Sequence, residues 1–143
     1  MMEISYVRRQ VRETINRAKQ AAADRRTRTE AAAREYDVFL SDIAIPIFRQ
    51  IAAVLRAEGY MFSVFTPTGK VRLTSDRSGD DYIEVSLDTS GAYPQVIGHS
   101  SHSRGRRVLE SEAPLKESGF VHELTEEDVL TFVLKQLEPF VER

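Results

Sequence analysis

The sequence of 143 residues contains no cysteine and no tryptophan, and it has only seven glycines and five prolines. The lack of cysteine excludes a disulfide framework and any chemistry that needs a thiolate. No P-loop or dinucleotide-binding glycine motif is present, so no nucleotide cofactor is indicated. The scattered serines and carboxylates do not nominate a nucleophile with its base. The residues therefore favour a non-enzymatic role without a cofactor.

Long apolar runs are also missing. No uninterrupted apolar stretch approaches the roughly 20 residues that a membrane span needs. The first six residues, MMEISY, lead into charged side chains, without the apolar core of a secretory signal. These two features favour a cytoplasmic protein that has no membrane partner.

The most informative positive feature is a change of hydrophobic period at Glu58-Gly59. Residues 1–58 contain one proline and no glycine, and their apolar residues recur at helical spacing. Beyond this point, short alternating runs are separated by turns that contain glycine or proline, until a last helical stretch closes the chain. The two periods bury different faces, so the sequence predicts an α+β fold, in one domain of residues 1–143.

The first helical stretch is an N-terminal arm, residues 1–35, with a narrow apolar stripe. The stripe residues recur at spacings of three and four: Ile4, Val7, Val11, Ile15, Ala18 and Ala22. A stripe this narrow is typical of a helix–helix contact rather than of the floor of a core. Polar residues 24–30 interrupt it, and the Thr27–Glu30 spacing is that of a capping box. The arm is therefore either one helix about 50 Å long or two helices.

The second stretch, residues 36–58, is predicted to be the core helix because apolar residues surround most of its helical wheel. Pro46 lacks the N–H group for a bond to Asp42, so it should either kink this helix or begin a new one. Gly59 supplies a residue that readily adopts the left-handed conformation of a helix C-terminus. The core helix is therefore expected to end there.

The remaining residues predict a sheet followed by a closing helix. Residues 60–112 hold four or five short strands in an antiparallel meander, the fifth covering Arg107–Ser111. Thr125 and Asp128 have the spacing of an acidic capping box, which begins a helix over residues 125–138. Pro139 is expected to end that helix, which should pack on the sheet.

The three histidines of the chain could in principle bind a metal ion. His99 and His102 lie three residues apart, which in a strand places them on opposite faces. They would converge with distant His122 only if the segment bent, and their spacing matches no established zinc pattern. No metal site is therefore predicted, and the favoured interpretation is a polar loop on an edge strand.

The stretch around these histidines is unusually rich in serine, arginine and glycine. Hydroxyl, backbone N–H and guanidinium groups recognise phosphate, so the Ser100–Arg107 loop is a candidate anion-binding segment. Its candidate anion ligands are Arg104, Arg106 and Arg107. The alternative is a solvated β-hairpin whose arginines pair with the acidic C-terminal part.

The charge is unevenly distributed. Residues 1–36 carry nine Lys or Arg against five Asp or Glu, whereas the rest of the chain carries eleven against seventeen. A basic arm can bind nucleic acid or dock on an acidic protein surface, including that of a second copy. The interleaved glutamates can form ion pairs within the helix, and the pI is near 6.0, so nucleic acid is not favoured.

These observations lead to one leading hypothesis and one alternative. The leading hypothesis is a non-catalytic interaction module whose arm pairs with a second copy, as a homodimer, or with another protein. The contact residues would be Val7, Val11, Ile15 and Ala18. The alternative is nucleic-acid or anion binding through the arginine-rich arm and the Ser100–Arg107 loop.

Overall fold

The computed structural model describes residues 1–117 and 119–142 and has the predicted α+β architecture. A long helical run is followed by five strands and a closing helix. The elements are α1 (Ile4–Phe39), a π-helical segment (Leu40–Ala44), α2 (Ile45–Ala57), β1 (Phe62–Phe65), β2 (Val71–Ser75), β3 (Tyr82–Asp88), β4 (Gln95–Arg104), β5 (Arg107–Pro114), a 3₁₀ turn (Val121–Glu123) and α3 (Glu126–Val141).

The five strands form an antiparallel meander in the order β1-β2-β3-β4-β5. Short connections make consecutive strands neighbours, as the sequence predicts. In the register, Val85 of β3 lies opposite Gly98 of β4. A Cβ atom at Gly98 would overlap the Phe132 ring of α3. This close approach shows that α3 packs on the face of the sheet that carries Val85.

The hydrophobic core lies between this helix-covered face and the helices. Its members come from the base of α1, the π-helical segment, α2, strands β1 to β4, the 3₁₀ turn and α3. The apolar members with no exposed area are Ala44, Phe48, Val71, Leu73, Ile83, Val85, Val129 and Val133. Burial of each such side chain larger than alanine stabilises the fold by about 1.5–3 kcal/mol. The core is therefore built by the sheet together with the base of α1, α2 and α3, and it does not include the start of α1.

Pro46 is accommodated by a change of helix type. The chain stays helical from Ile4 to Ala57, but Leu40–Ala44 forms a π-helical turn immediately before the proline. The N–H group of Ile45 bonds to the carbonyl of Leu40, five residues back. This one-turn widening brings Pro46 to the start of α2, where a residue without an N–H group is tolerated.

The helix ends follow the sequence signals at two positions and depart from them at a third. Gly59 has a φ of 93°, and the N–H of Tyr60 bonds to the carbonyl of Leu55 at 2.8 Å, which closes α2. The capping box of Thr125 and Asp128 is formed in both directions. The prediction that Pro139 ends α3 is wrong, because the helix continues for two residues to Val141. Pro139 lies in the last turn, where few further helical bonds are disturbed.

The base of α1 is joined to the sheet through Tyr36, which is 3% exposed. Its hydroxyl donates to the carbonyl of Gly69 at 2.7 Å and lies 3.4 Å from that of Val85. Burial raises the pKa of this phenol, so the hydroxyl remains a neutral donor. α1 is one helix, and Thr27 does not restart it: its hydroxyl bonds to the carbonyl of Ala23 within the helix.

By length and composition alone, the helical run Ile4–Ala57 contains a window apolar enough to cross a membrane, with a mean hydropathy of 1.7. Charged residues such as Asp42 and Arg49 interrupt this run, so it contains no uninterrupted apolar stretch of that length. A core helix passes the same test, and 44% of the window is buried inside the structure. Ala44 and Phe48, both with no exposed area, account for part of that burial.

Candidate functional site

The first part of α1 extends beyond the core. Every residue up to Ala21 is exposed, and burial begins only at Ala22 and Ala23. We call residues 4–21 the free segment. It is about 27 Å long at the α-helical rise per residue. Half of α1 therefore has no hydrophobic packing of its own to keep it helical.

The four contact residues predicted from the sequence all lie on the free segment. Val7, Val11 and Ile15 are 44%, 50% and 46% exposed, although all three are large apolar side chains. Ala18 is exposed on the same stripe, and Ile4, at 77%, extends it toward the N-terminus. We call Ile4, Val7, Val11 and Ile15 the arm stripe.

The spacing of the stripe makes it nearly straight. Ile4 and Ile15 are eleven residues apart, as are Val7 and Ala18. An eleven-residue repeat corresponds to about 3.67 residues per turn, close to the about 3.6 of a straight α-helix. The stripe therefore runs almost along the helix axis, so a straight partner helix or groove can contact its whole length.

The two borders of the arm stripe differ in charge. Tyr6, Gln10 and Thr14 line a shallow apolar groove of about 460 Å³ on one side. Arg8, Arg12 and Lys19 flank the stripe elsewhere on the helix. The predicted ion pairs within the arm are not formed: none of the nine Lys and Arg residues up to position 36 pairs with a carboxylate of residues 1–117 or 119–142.

A second exposed apolar surface lies between α2 and α3. It is a groove of about 250 Å³, and its lining is almost entirely aliphatic. Val54 of α2 is 62% exposed, and Leu134 of α3 is 49% exposed. The lining also includes Ile47, Ile51, Leu55, Leu130 and Leu137. We call this surface the α2–α3 groove; nothing in the sequence periodicity distinguished it from core.

The predicted anion-binding loop is a regular hairpin. The prediction of a loop over Ser100–Arg107 is wrong, because β4 continues to Arg104 and only Gly105 and Arg106 connect it to β5. Arg104 and Arg107 face each other in the register, so the three predicted arginines cluster at this turn. All three are exposed, and none forms an ion pair with a residue in the described part of the chain.

The histidines do not converge. β4 is an interior strand between β3 and β5, and not the predicted loop at an edge. His99 stacks on Tyr82 with ring centroids 5.7 Å apart, whereas His102 lies 5.3 Å from the Phe140 ring of α3, on the other face. Among the residues that the structure describes, no group of three or more His, Cys, Asp or Glu is arranged to hold a metal ion.

The outer face of the sheet carries a polar cluster that sequence reasoning missed. Glu84 alternates along β3 with the core residues Ile83 and Val85 and so lies on the opposite face, yet it is only 6% exposed. The Arg72 guanidinium bonds to its carboxylate at 2.6 Å and stacks over the Tyr82 ring at 4.0 Å, while Lys70 lies 3.6 Å from the second oxygen. Arg72 and Glu84 are cross-strand partners, so the cluster ties β2 to β3.

A buried carboxylate lies at the other end of β3. Asp81 is 1% exposed and accepts hydrogen bonds from the Ser103 N–H at 2.7 Å and the Ser103 hydroxyl at 2.9 Å. It borders a polar cleft of about 370 Å³ together with Asp76 and Arg77. These hydrogen bonds join the start of β3 to the end of β4, so Asp81 has a structural role. No sequence pattern marked this aspartate.

No family model, no curated protein and no solved structure matches this chain. The function must therefore be inferred from the geometry of these surfaces alone.

Proposed function

We propose that this protein is a non-catalytic assembly module that binds a second copy of itself through the arm stripe. The observation that carries the proposal is the exposure of Val7, Val11 and Ile15, which lie in line on a helix segment that is itself exposed throughout. Monomeric proteins seldom expose a continuous apolar stripe, and such stripes mark interaction sites. A partner that covered the stripe would remove these side chains from water.

The base of α1 holds the free segment in position for such binding. Besides the Tyr36 bonds, Arg28 lies over the Tyr93 ring at 5.2 Å, and Nδ1 of His122 lies 3.5 Å from Oε2 of Glu35. These contacts fix the direction of the helix where it leaves the body. Because a helix already begun by its base needs no new nucleation, less conformational entropy is lost on binding.

The test is the mass in solution of a variant with a charge in the stripe. We expect the wild-type protein to have a mass of about twice 16.3 kDa by light scattering. Val11→Glu should convert it to a monomer, because a buried unpaired carboxylate is strongly unfavourable. The matched control is Asn16→Glu, which adds the same charge to an exposed position on the opposite side of the helix and should remain a dimer.

Circular dichroism of both variants should show the fold of the body unchanged, because residues 4–21 contribute nothing to the buried core. A wild-type protein that is monomeric at high concentration, or a Val11→Glu variant that still dimerises, contradicts the proposal.

Binding of a polyanion is the second candidate, favoured by the cations of the arm and of the β4–β5 turn, which form no ion pair with residues 1–117 or 119–142. The two functions differ in their response to salt. Binding of an oligonucleotide would weaken steeply as salt rises, because neutralised phosphates release counterions. Assembly through an apolar stripe would persist. Retention of a labelled oligonucleotide at low salt, lost in an Arg104→Gln, Arg106→Gln, Arg107→Gln variant, would support anion binding.

A further inference from the structure

We infer that the arm stripe of one copy docks in the α2–α3 groove of the second copy. The inference rests on the proposed self-assembly and names the surface that the arm contacts. Both apolar surfaces are exposed in the isolated chain, so neither covers the other within one copy. A surface pair of this kind on one chain is self-complementary, and a two-fold axis forms the same contact twice.

The charges that border the two surfaces are opposite. On a helix, the nearest neighbours of a residue are three and four positions away. Around the arm stripe these positions hold three cations, Arg8, Arg12 and Lys19, and one carboxylate, Glu3.

The exposed and half-buried residues of the groove have the reverse surroundings. The charged neighbours of Ile47, Val54, Leu130 and Leu134 at the same spacings are Glu58, Glu126, Glu127 and Glu138, with no Lys or Arg. All four glutamates are exposed, and none is ion-paired to a residue that the structure describes. An apolar stripe with a basic border therefore fits an apolar groove with an acidic border.

The arm stripe is long enough to span the groove. From Ile4 to Ile15 the stripe covers about 16 Å, or three helical turns, and Ile47 to Val54 covers about 10 Å of the groove wall. A nearly straight stripe can follow a groove between two helices, and the arm becomes a third helix beside α2 and α3.

Charge argues against the arms pairing with each other. The free segment carries five Lys or Arg and one Glu, a net charge of +4. Two free segments side by side would bring +8 into a length of about 27 Å, and like charges in contact oppose association. Docking against the four glutamates removes this repulsion.

The first experiment places a charge in the groove. Val54→Glu should weaken self-association about tenfold or more, measured by light scattering over a dilution series. The matched control is Ala53→Glu, because Ala53 is the next residue, is exposed and does not line the groove. Since Val54 is 62% exposed, both variants should keep the wild-type circular dichroism spectrum.

The second experiment exchanges the charges. Arg8→Glu with Arg12→Glu, and separately Glu127→Lys with Glu138→Lys, should each weaken the dimer about three- to tenfold. The four substitutions together should restore association to near the wild-type strength, because opposite charges again face each other.

The outcomes separate this inference from the proposed function. If Val11→Glu dissociates the dimer but Val54→Glu does not, assembly through the arm stands and docking in the groove is overturned. If the charge exchange gives no recovery, docking in the groove is likewise overturned. If Val11→Glu leaves the dimer intact, the proposed function itself fails, whatever Val54→Glu does.

Discussion

The two ends of α1 have the same secondary structure but opposite surroundings. At its base, Ala32, Tyr36 and Phe39 are 8%, 3% and 3% exposed and belong to the core. In the free segment, Val11 and Ile15 remain about half exposed on an equally regular helix. The comparison teaches that an apolar stripe indicates only that some surface must cover that side of the helix. Whether the same chain supplies that surface depends on where the sheet ends.

The same isoleucine-to-alanine change in the two regions should have the most different effects. Ile83→Ala removes a side chain with no exposed area from the centre of the sheet, so we expect a loss of about 2–5 kcal/mol in the free energy of unfolding. Ile15→Ala removes a 46% exposed side chain, and we expect a change within about 0.5 kcal/mol for the monomer.

Urea unfolding of both variants at a dilution where the protein is monomeric measures this difference. A large loss for Ile15→Ala in the monomer would mean that the free segment packs on its own body, and the comparison would break down.

The contact of α3 with β4 should show an intermediate effect. Gly98→Ala places a methyl group where the Phe132 ring lies, so the helix or the strand must shift. We expect a loss of about 1–3 kcal/mol, the usual cost of overpacking. Gly79→Ala is the matched control, because no atom lies within 4 Å of its Cβ position and its φ is not positive. Equal thermal midpoints for the two variants would contradict the close packing of α3.

The attachment of α1 to the sheet should show the smallest loss and a dependence on pH. Tyr36→Phe removes the hydroxyl that bonds to Gly69, which costs about 1 kcal/mol. Because burial raises the pKa of Tyr36 in the folded state above its ordinary value of 10.0, this group stabilises the fold fully below about pH 10. Its contribution to the free energy of unfolding is lost as the pH rises further, because the phenol ionises in the unfolded protein while the buried phenol stays protonated.

Wild-type and Tyr36→Phe proteins should therefore differ in urea midpoint at pH 8 and converge above pH 10. A constant difference at both pH values would show that Tyr36 is not shielded from water. The other tyrosines titrate in both proteins, so the comparison isolates Tyr36.

Local sequence signals correctly predicted those helix ends that depend on residues only a few positions apart in the chain. Gly59 ends α2 because only a residue tolerant of positive φ closes that turn, and Thr125 begins α3 through bonds to residues three positions away. The prediction that Pro139 ends α3 was wrong because a proline in the last turn of a helix disturbs few hydrogen bonds. The prediction of a loop over Ser100–Arg107 was wrong because pairing with β3 and β5 makes most of this stretch a strand despite its polar composition.

The contacts between distant residues could not be predicted in this way. Ser103 meets Asp81 across 22 positions, and Ser100 meets Gln136 across 36. Glu84 is buried because Arg72 covers it from the neighbouring strand, although its place in the alternating pattern faces outward. Hydrophobic period assigns a face to each residue but does not state what covers that face.

The sequence by itself determined the α+β class, the change from helix to sheet at Glu58-Gly59 and the existence of a narrow stripe on the arm, because spacing along the chain specifies which residues share a face. Only the tertiary structure decided that α1 extends past the core, that the stripe stays exposed and that α2 and α3 form an acidic-bordered groove. These features depend on the distance between elements that are remote in the chain, and no local period encodes that distance.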